Sequence, residues 1–443
     1  MKKQYIGKSA LLFFIFHFLL FMPELSRAQA RITLDSCIAR ALESNYSIKI
    51  IRNQQQQAEN NLNYAPFLPT VSANAGQKQT LSDSKIITNG EDRGMNGARA
   101  DALSAGVSLN WRLFDGMEMF MTHSRYQEML AIGELNTKAA IENLIVQVCA
   151  YYYDVVRQHS KLDAARHSLD LSWARYAEAR DKYVLGVLSG LEAQQAKLDL
   201  NADSSNYMKE KELLKSAYIS LNTLMNTDLQ QQLYVKDSIR LRAPLEYQQL
   251  YNDMKLYNTT LLIGRRDQKV SELDMKIARA ALFPKLDFDA GYNYNRSRTP
   301  EAATTLNRSN GPYWGFSLNV NIFDRLENRR KIKNARLDIE NASLSYQEAE
   351  QQVAADLAQL YNTYENNLQI VSFEQESADV AFENLDAALE KYKLETLSGI
   401  EFREFQRSYI DAVDREVSAV YQAKISELSL LLISGQVSNI VQP

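Results

Sequence analysis

Four short stretches of this chain alternate strictly between apolar and polar positions. Val71, Ala73 and Ala75 alternate with Ser72, Asn74 and Gly76, and Val107, Leu109, Trp111 and Leu113 alternate with Ser108, Asn110 and Arg112. Further on, Leu286, Phe288, Ala290, Tyr292 and Tyr294 interleave with Asp287, Asp289, Gly291, Asn293 and Asn295, and Phe316, Leu318, Val320 and Ile322 with Ser317, Asn319 and Asn321. A period of two predicts strands, over 70–80, 106–114, 286–296 and 314–323, each with an apolar face and a face of amides and carboxylates. The polar, Gly-, Asn-, Ser- and Thr-rich connections Leu81 to Ser104 and Arg296 to Gly311 read as long loops on one side.

After each pair of strands the period changes. Asp115 to Val187 and Asp324 to Thr396 contain no proline, and Ile332, Ala335, Ile339, Ala342, Tyr346, Ala349 and Val353 recur at spacings of three and four, a seam for another helix. Asp115 and Asp324 are placed to cap these helices. Some 70 helical residues at 1.5 Å each would reach roughly 100 Å, several times the thickness of a bilayer, so the helices must project away from any membrane the strands enter. Helical character resumes through Leu191 to Met225 and Ile400 to Leu432. Each half is therefore expected to be an antiparallel helical hairpin, with helices rich in Ala, Gln, Glu, Asn and Tyr, one face packed and the other wet.

The two halves are copies. Lys182-Tyr183-Val184-Leu185-Gly186-Val187-Leu188-Ser189-Gly190 returns 209 residues later as Lys391-Tyr392-Lys393-Leu394-Glu395-Thr396-Leu397-Ser398-Gly399. The same offset carries Gly106 through Asp115 onto Gly315 through Asp324, whereas Phe67-Leu68-Pro69 falls on Leu282-Phe283-Pro284 at an offset of 215, so one connecting loop is six residues shorter in the second half. A repeat this long is one large supersecondary unit. The chain accordingly reads as a leader (1–30), a first repeat (31–225), a linker (226–260), a second repeat (261–434) and a tail (435–443), with Arg31 to Asn63, Asn226 to Arg279 and the tail forming a belt of short elements around the middle of the helices.

Strands of about ten residues have the length that a tilted strand needs to cross an outer-membrane bilayer, and Trp111, Tyr292, Tyr294, Tyr313 and Trp314 supply amphipathic rings suited to its interfaces. Four strands cannot close a barrel, and an open edge in lipid leaves backbone groups without partners. Two copies would give eight strands and an interior filled by side chains; three give twelve and a lumen wide enough for water. A trimer is the smallest assembly that could conduct anything.

Composition narrows the compartment. Lys2, Lys3 and Lys8, the apolar run Leu11 to Met22 and the small-residue site Ala28-Gln29-Ala30 form a secretory signal, and the apolar run is too short for a transmembrane anchor. Without residues 1–30 the chain holds 46 basic and 53 acidic residues, a net charge of −7, which does not suggest a nucleic-acid partner. Cys37 and Cys149 are expected to be isolated buried thiols. No nucleophile motif or phosphate loop appears, and His123, His159 and His167 stand at no metal-ligand spacing, so neither an enzyme, a metal site nor a cofactor is expected. A secreted coiled-coil or adhesive protein would also explain leader and helices, but it leaves the alternating, aromatic-ended strands without a purpose.

Several matched segments, in this order and spacing, resemble the TolC family of outer-membrane efflux and secretion channels over essentially the whole mature length. They are Ile32-Thr33-Leu34 through Ala41-Leu42 and Asn45, the Phe67-Leu68-Pro69 step, Trp111-x-Leu113-Phe114-Asp115-Gly116, the duplication, and the Tyr-x-Leu-x-x-x-Ser turns. The resemblance implies a mixed α and transmembrane β fold, with a duplicated strand-helix-helix repeat assembled as a homotrimer. Its twelve-stranded β-barrel in outer-membrane lipid would continue into a long α-helical barrel in the periplasm. The partners it implies are a periplasmic adaptor and an inner-membrane pump of the RND or ABC type, with the channel itself a passive exit duct whose cargo is chosen by the pump and adaptor. The adaptor-docking turns would be Leu185, Gly186, Val187, Leu188, Ser189 and Gly190, and Leu394, Glu395, Thr396, Leu397, Ser398 and Gly399. Glu395 stands where the family has its turn glycine. In the periplasmic gate, Glu192 and Tyr392 match an acidic residue and a tyrosine, but Leu397 occupies the arginine position; closure by packing of Leu397 and Tyr392, or by other polar contacts, is expected instead. Glu401 and Glu404 match an acidic constriction that would favour cations.

Overall fold

A computed structural model describes residues 32–88, 91–231, 235, 237–300 and 305–440. The leader and the last three residues of the tail lie outside the described residues, as do parts of the linker. The elements run, in order, α1 (Leu34–Ser44), α2 (Tyr46–Asn61), a 3-10 turn (Ala65–Phe67), β1 (Thr70–Thr88), β2 (Glu91–Phe114), α3 (Glu118–Val184), α4 (Gly190–Met225), α5 (Tyr247–Tyr257), α6 (Thr259–Ala280), β3 (Lys285–Arg298), β4 (Leu306–Asn319), α7 (Glu327–Lys393), α8 (Gly399–Ile433) and a closing 3-10 turn (Val437–Ile440). Both α3 and α7 hold 67 residues and start 209 positions apart. Asp115 and Asp324 cap them from three residues upstream: the Asp115 carboxylate accepts from Met119 N at 3.0 Å and that of Asp324 from Asn328 N at 2.7 Å. Among the described residues no helix is long and apolar enough to cross a membrane.

The chain divides into two compact units. One comprises Ile51–Lys138 and Thr259–Gln352 and contains a single antiparallel sheet in the order β1-β2-β3-β4. Its register aligns the alternation of all four strands. Val71, Leu109, Ala290 and Trp314 form one row and Ala73, Val107, Tyr292 and Pro312 the next, while the intervening rows hold Ser72, Ser108, Gly291 and Tyr313, then Asn74, Gly106, Asn293 and Gly311. One face is thus continuously apolar. The other is polar and internally bonded, with Asn110 donating to Asp289 at 2.6 Å and Arg112 to Asp287 at 2.9 Å.

This register corrects the expectation for Tyr313. Trp111, Tyr292, Tyr294 and Trp314 share the apolar face, but Tyr313 stands one position out of phase, on the polar face opposite Gly291. A Cβ at Gly291 would lie only 2.8 Å from the Tyr313 hydroxyl, so the glycine is what lets that ring lie across the strand.

The strands also run further than their alternation does. Much of Leu81 to Ser104, expected as loop, is paired strand, with Leu81 opposite Arg99 and Ile87 opposite Asp92 around an irregularity at Ser82 to Ser84. Backbone pairing satisfies N–H and C=O groups whatever the side chains, so strands can pair beyond the stretch where strongly apolar residues alternate with polar ones. In the second half β4 begins at Leu306, inside the segment read as a loop, and ends at Asn319. Val320 to Phe323, expected as strand, have no partner because Asn319 already pairs with Lys285, the first residue of β3, and Pro284 before it lacks an N–H to extend the ladder. In the same unit the α7 seam packs on α6: the Tyr346 ring lies against Gly264 and its hydroxyl accepts from Arg265 Nε at 3.1 Å.

The other unit holds the hairpin ends. Its main core joins α1 (Cys37, Ile38, Ala41) to α3 (Val148, Cys149, Tyr152, Val155), α4 (Leu221, Met225) and Leu428 of α8. Burial pushes both free thiols up to about 12, which leaves them protonated and inert. Along the hairpins the seams turn to alanine, with Ala378, Ala381 and Ala412 forming one cluster.

Candidate functional site: the helical turns

Each hairpin turns by the same local device. Helix α3 ends with Gly186 N donating to Tyr183 O at 3.0 Å and Val187 N to Lys182 O at 2.9 Å; α7 ends with Glu395 N on Tyr392 O at 3.0 Å and Thr396 N on Lys391 O at 3.0 Å. This pair of bonds closes a helix around one left-handed residue. Gly186 takes that conformation at φ +74° and Glu395 at φ +60°, so the turn lacking glycine keeps the shape of the turn that has it. Ser189 and Ser398 then cap α4 and α8, each within a capping box completed by Glu192 and Glu401.

The capping boxes decide what those two glutamates do. Glu192 Oε2 accepts from Ser189 Oγ at 2.9 Å and Glu401 Oε2 from Ser398 Oγ at 2.8 Å. Bonds from the Ser398 backbone and hydroxyl hold the Glu401 carboxyl below its usual range. Glu404 is exposed and lies 3.8 Å from Arg407. Leu397 and Tyr392 come together in one cluster with Leu385, Ala388 and Phe402, and the Tyr392 ring stacks on Phe402 at 5.2 Å.

Between the two turns lies a groove of about 450 Å³. It is lined by Val187, Leu188, Leu191 and Glu192 from the first hairpin and by Tyr392, Glu395, Leu397 and Ile400 from the second. Three of the five expected gate residues, Glu192, Tyr392 and Leu397, therefore share one groove, while Glu401 and Glu404 lie outside its lining. Leu185, Val187 and Leu394 project from the turns with more than 70% of their surface exposed.

Sequence reasoning missed the charges that join the hairpins here. Lys182 Nζ meets Glu395 Oε1 at 2.6 Å, which lowers the Glu395 carboxyl below its ordinary value. Arg175, buried, pairs with Asp199 and donates to the Gly399 carbonyl at 3.1 Å, and Arg403 grips Asp203. A signal was present: on α4, Asp199 and Asp203 continue the three-and-four spacing of Ala193 and Ala196, two acids in the middle of a buried seam.

The model of the family described as outer membrane efflux protein matches residues 37–227 and 250–436. The chain belongs to that family. Among curated relatives, this efflux protein is 25% identical to the pyoverdine export outer membrane protein OpmQ of Pseudomonas aeruginosa over 87% of its own length and 81% of the relative's. To the outer membrane protein TolC of Vibrio cholerae it is 20% identical, over 84% and 83%. In fold it is similar to the CmeC outer membrane channel of Campylobacter jejuni, with a TM-score of 0.74 at 17% identity over 92% of this chain and 88% of that one. A second similar fold, CusC, gives a TM-score of 0.71 at 17% identity over 92% of both chains. The efflux protein is thus an outer-membrane protein of a transport family rather than an enzyme family, mostly helical with one antiparallel sheet, and the secreted coiled-coil alternative falls away.

Proposed function

We propose that this efflux protein is the passive exit duct of a tripartite efflux or type I secretion machine. Three copies contribute four strands each to a twelve-stranded barrel in the outer membrane, and their hairpins form a helical barrel through which cargo passes from a periplasmic adaptor and an inner-membrane RND or ABC pump. One observation carries this reading: the sheet presents complete apolar and polar rows across all four strands, yet β1 and β4 are edges. In lipid such edges must be paired by other copies. The exposed apolar turns and the groove between them support an adaptor contact at the ends of the hairpins. The signal peptide at 1–30 and the two repeats at 31–225 and 261–434 belong to the same reading.

The mass of the mature protein extracted from outer membranes in mild detergent, corrected for bound detergent, tests it. A trimer is expected; a monomer recovered without detergent overturns it.

A further inference from the structure

The apolar face of the sheet changes character at its hairpin end. The row of Ala75, Ala105, Tyr294 and Asn310 is followed by one of Gln77, Leu103, Arg296 and Arg308, and then by one of Gln79, Asp101, Arg298 and Leu306. These rows lie away from Phe114 and Asn319, the strand ends after which the long helices begin.

Three arginines are thereby set together on one face. Arg296 and Arg308 are direct cross-strand neighbours, with Cβ atoms about 5 Å apart. Arg298 stands two residues further along β3, about 7 Å on. All three are exposed. Like charges directly opposite each other destabilise a sheet, yet among the described residues no carboxylate pairs with these three. The carboxylate opposite Arg298, that of Asp101, instead accepts from Gln79 Nε2 at 2.6 Å and lies 3.9 Å from Arg99. The Arg308 guanidinium lies over the Tyr294 ring, 5.3 Å from its centre, so the last aromatic of the apolar rows is in contact with the first charge beyond them.

We propose that Arg296, Arg298 and Arg308 form a binding site for the phosphate groups of an anionic lipid of the outer leaflet, with one site per copy. The inference rests on the barrel proposed above, which turns the apolar face to lipid and the hairpin end away from the periplasm. Headgroups lie immediately beyond the aromatic edge of such a face. Planar guanidinium groups match phosphate oxygens in pairs, and a phosphate between Arg296 and Arg308 offsets their repulsion. Acyl chains then pack on the apolar rows below. At the same level the first hairpin carries Gln77, Gln79, Leu103 and Asp101, so only the second hairpin provides the site and a trimer holds three.

Native mass spectrometry of the purified trimer, titrated with diphosphoryl lipid A, tests the site. Wild-type protein is expected to retain up to three lipids tightly. The double variant Arg296→Gln with Arg308→Gln is expected to bind at least about tenfold more weakly, as for loss of charge-assisted hydrogen bonds. Lys78 stands at the same level on the opposite, polar face, and Lys78→Gln is expected to change binding by less than about twofold. Arg296→Gln alone, expected to weaken binding about threefold, is read if the double variant fails to assemble. Absence of lipid A from wild-type trimers, unchanged binding by the arginine variants, or an equal loss with Lys78→Gln overturns the proposal. Displacement of lipid A by millimolar inorganic phosphate overturns it too, because the arginines would then be a simple anion site. A wild-type protein that yields no trimer instead overturns the barrel on which the proposal rests.

Discussion

The two turns share a backbone and most of their side chains, and they differ in what anchors them. In the first, Gly186 fills the left-handed position without strain, Tyr183 is about half exposed beside Gly190, and Ala193 stands at the position that corresponds to Phe402. In the second, Glu395 accepts a conformation that costs a side chain about 1 kcal/mol, and the tyrosine equivalent to Tyr183, Tyr392, is stacked on buried Phe402. The second turn is tied to a core and the first is free of one. A duplicated hairpin can evidently keep its turn while exchanging an unstrained, loosely attached end for a strained one held by an aromatic stack and an ion pair.

The sharpest way to break the comparison is to remove the stack. Phe402→Ala should cost about 3–5 kcal/mol because it empties a fully buried site, whereas Tyr183→Ala, at a half-exposed site, should cost less than about 1 kcal/mol. Thermal or denaturant unfolding of the two variants checks this, and equal losses would mean that the turns are anchored alike.

A smaller effect separates the two left-handed positions. Gly186→Ala should destabilise by about 1 kcal/mol, since alanine must adopt positive φ with nothing gained. For Glu395→Gly, relief of strain is offset by a more flexible unfolded chain and by loss of the Lys182 pair, so a change of less than about 0.5 kcal/mol is expected. A clear gain from Glu395→Gly would show that the ion pair contributes nothing.

The smallest effect concerns protonation. Lys182 holds the Glu395 carboxyl below its ordinary value, so their contact is fully present above the unfolded carboxylate range and is lost as pH falls through the lower folded value. Titration of the side-chain carboxyl by NMR should place the Glu395 midpoint below that of an ordinary glutamate, about 4.3. Lys182→Ala should return it there and leave Glu401, whose shift comes from Ser398, where it was.

Much of this was legible without coordinates. Alternation at 71–76, 107–113 and 286–294 fell within the first three strands, near one end of β1 and of β2; for the last strand it misplaced the start by eight residues and the end by four, and the 209-residue offset placed both turns. What escaped had little local signature. Toward its loop end the first hairpin keeps only a weak alternation, Ala98, Ala100 and Ala102 against Arg99 and Asp101, so pairing there left little pattern in the chain. Asp199 and Asp203 stood out of their seam, but their arginine partners lie 24 residues away in one case and 200 in the other, a separation that no periodicity reports. Glu395 looked like a departure from the turn, yet the turn's hydrogen bonds held its backbone and a lysine from the other hairpin met its side chain.

By itself the sequence determined the local matters: which residues share a strand face, where the long helices start and stop, and the turn-and-cap device repeated at each end. Period, capping chemistry and the absence of proline act over a few residues and need no partner to be read. The tertiary structure alone decided how far each strand extends, where Val320 to Phe323 lose their ladder, and which carboxylates are held by distant cations. Those outcomes depend on what lies opposite, and what lies opposite comes from elsewhere in the chain.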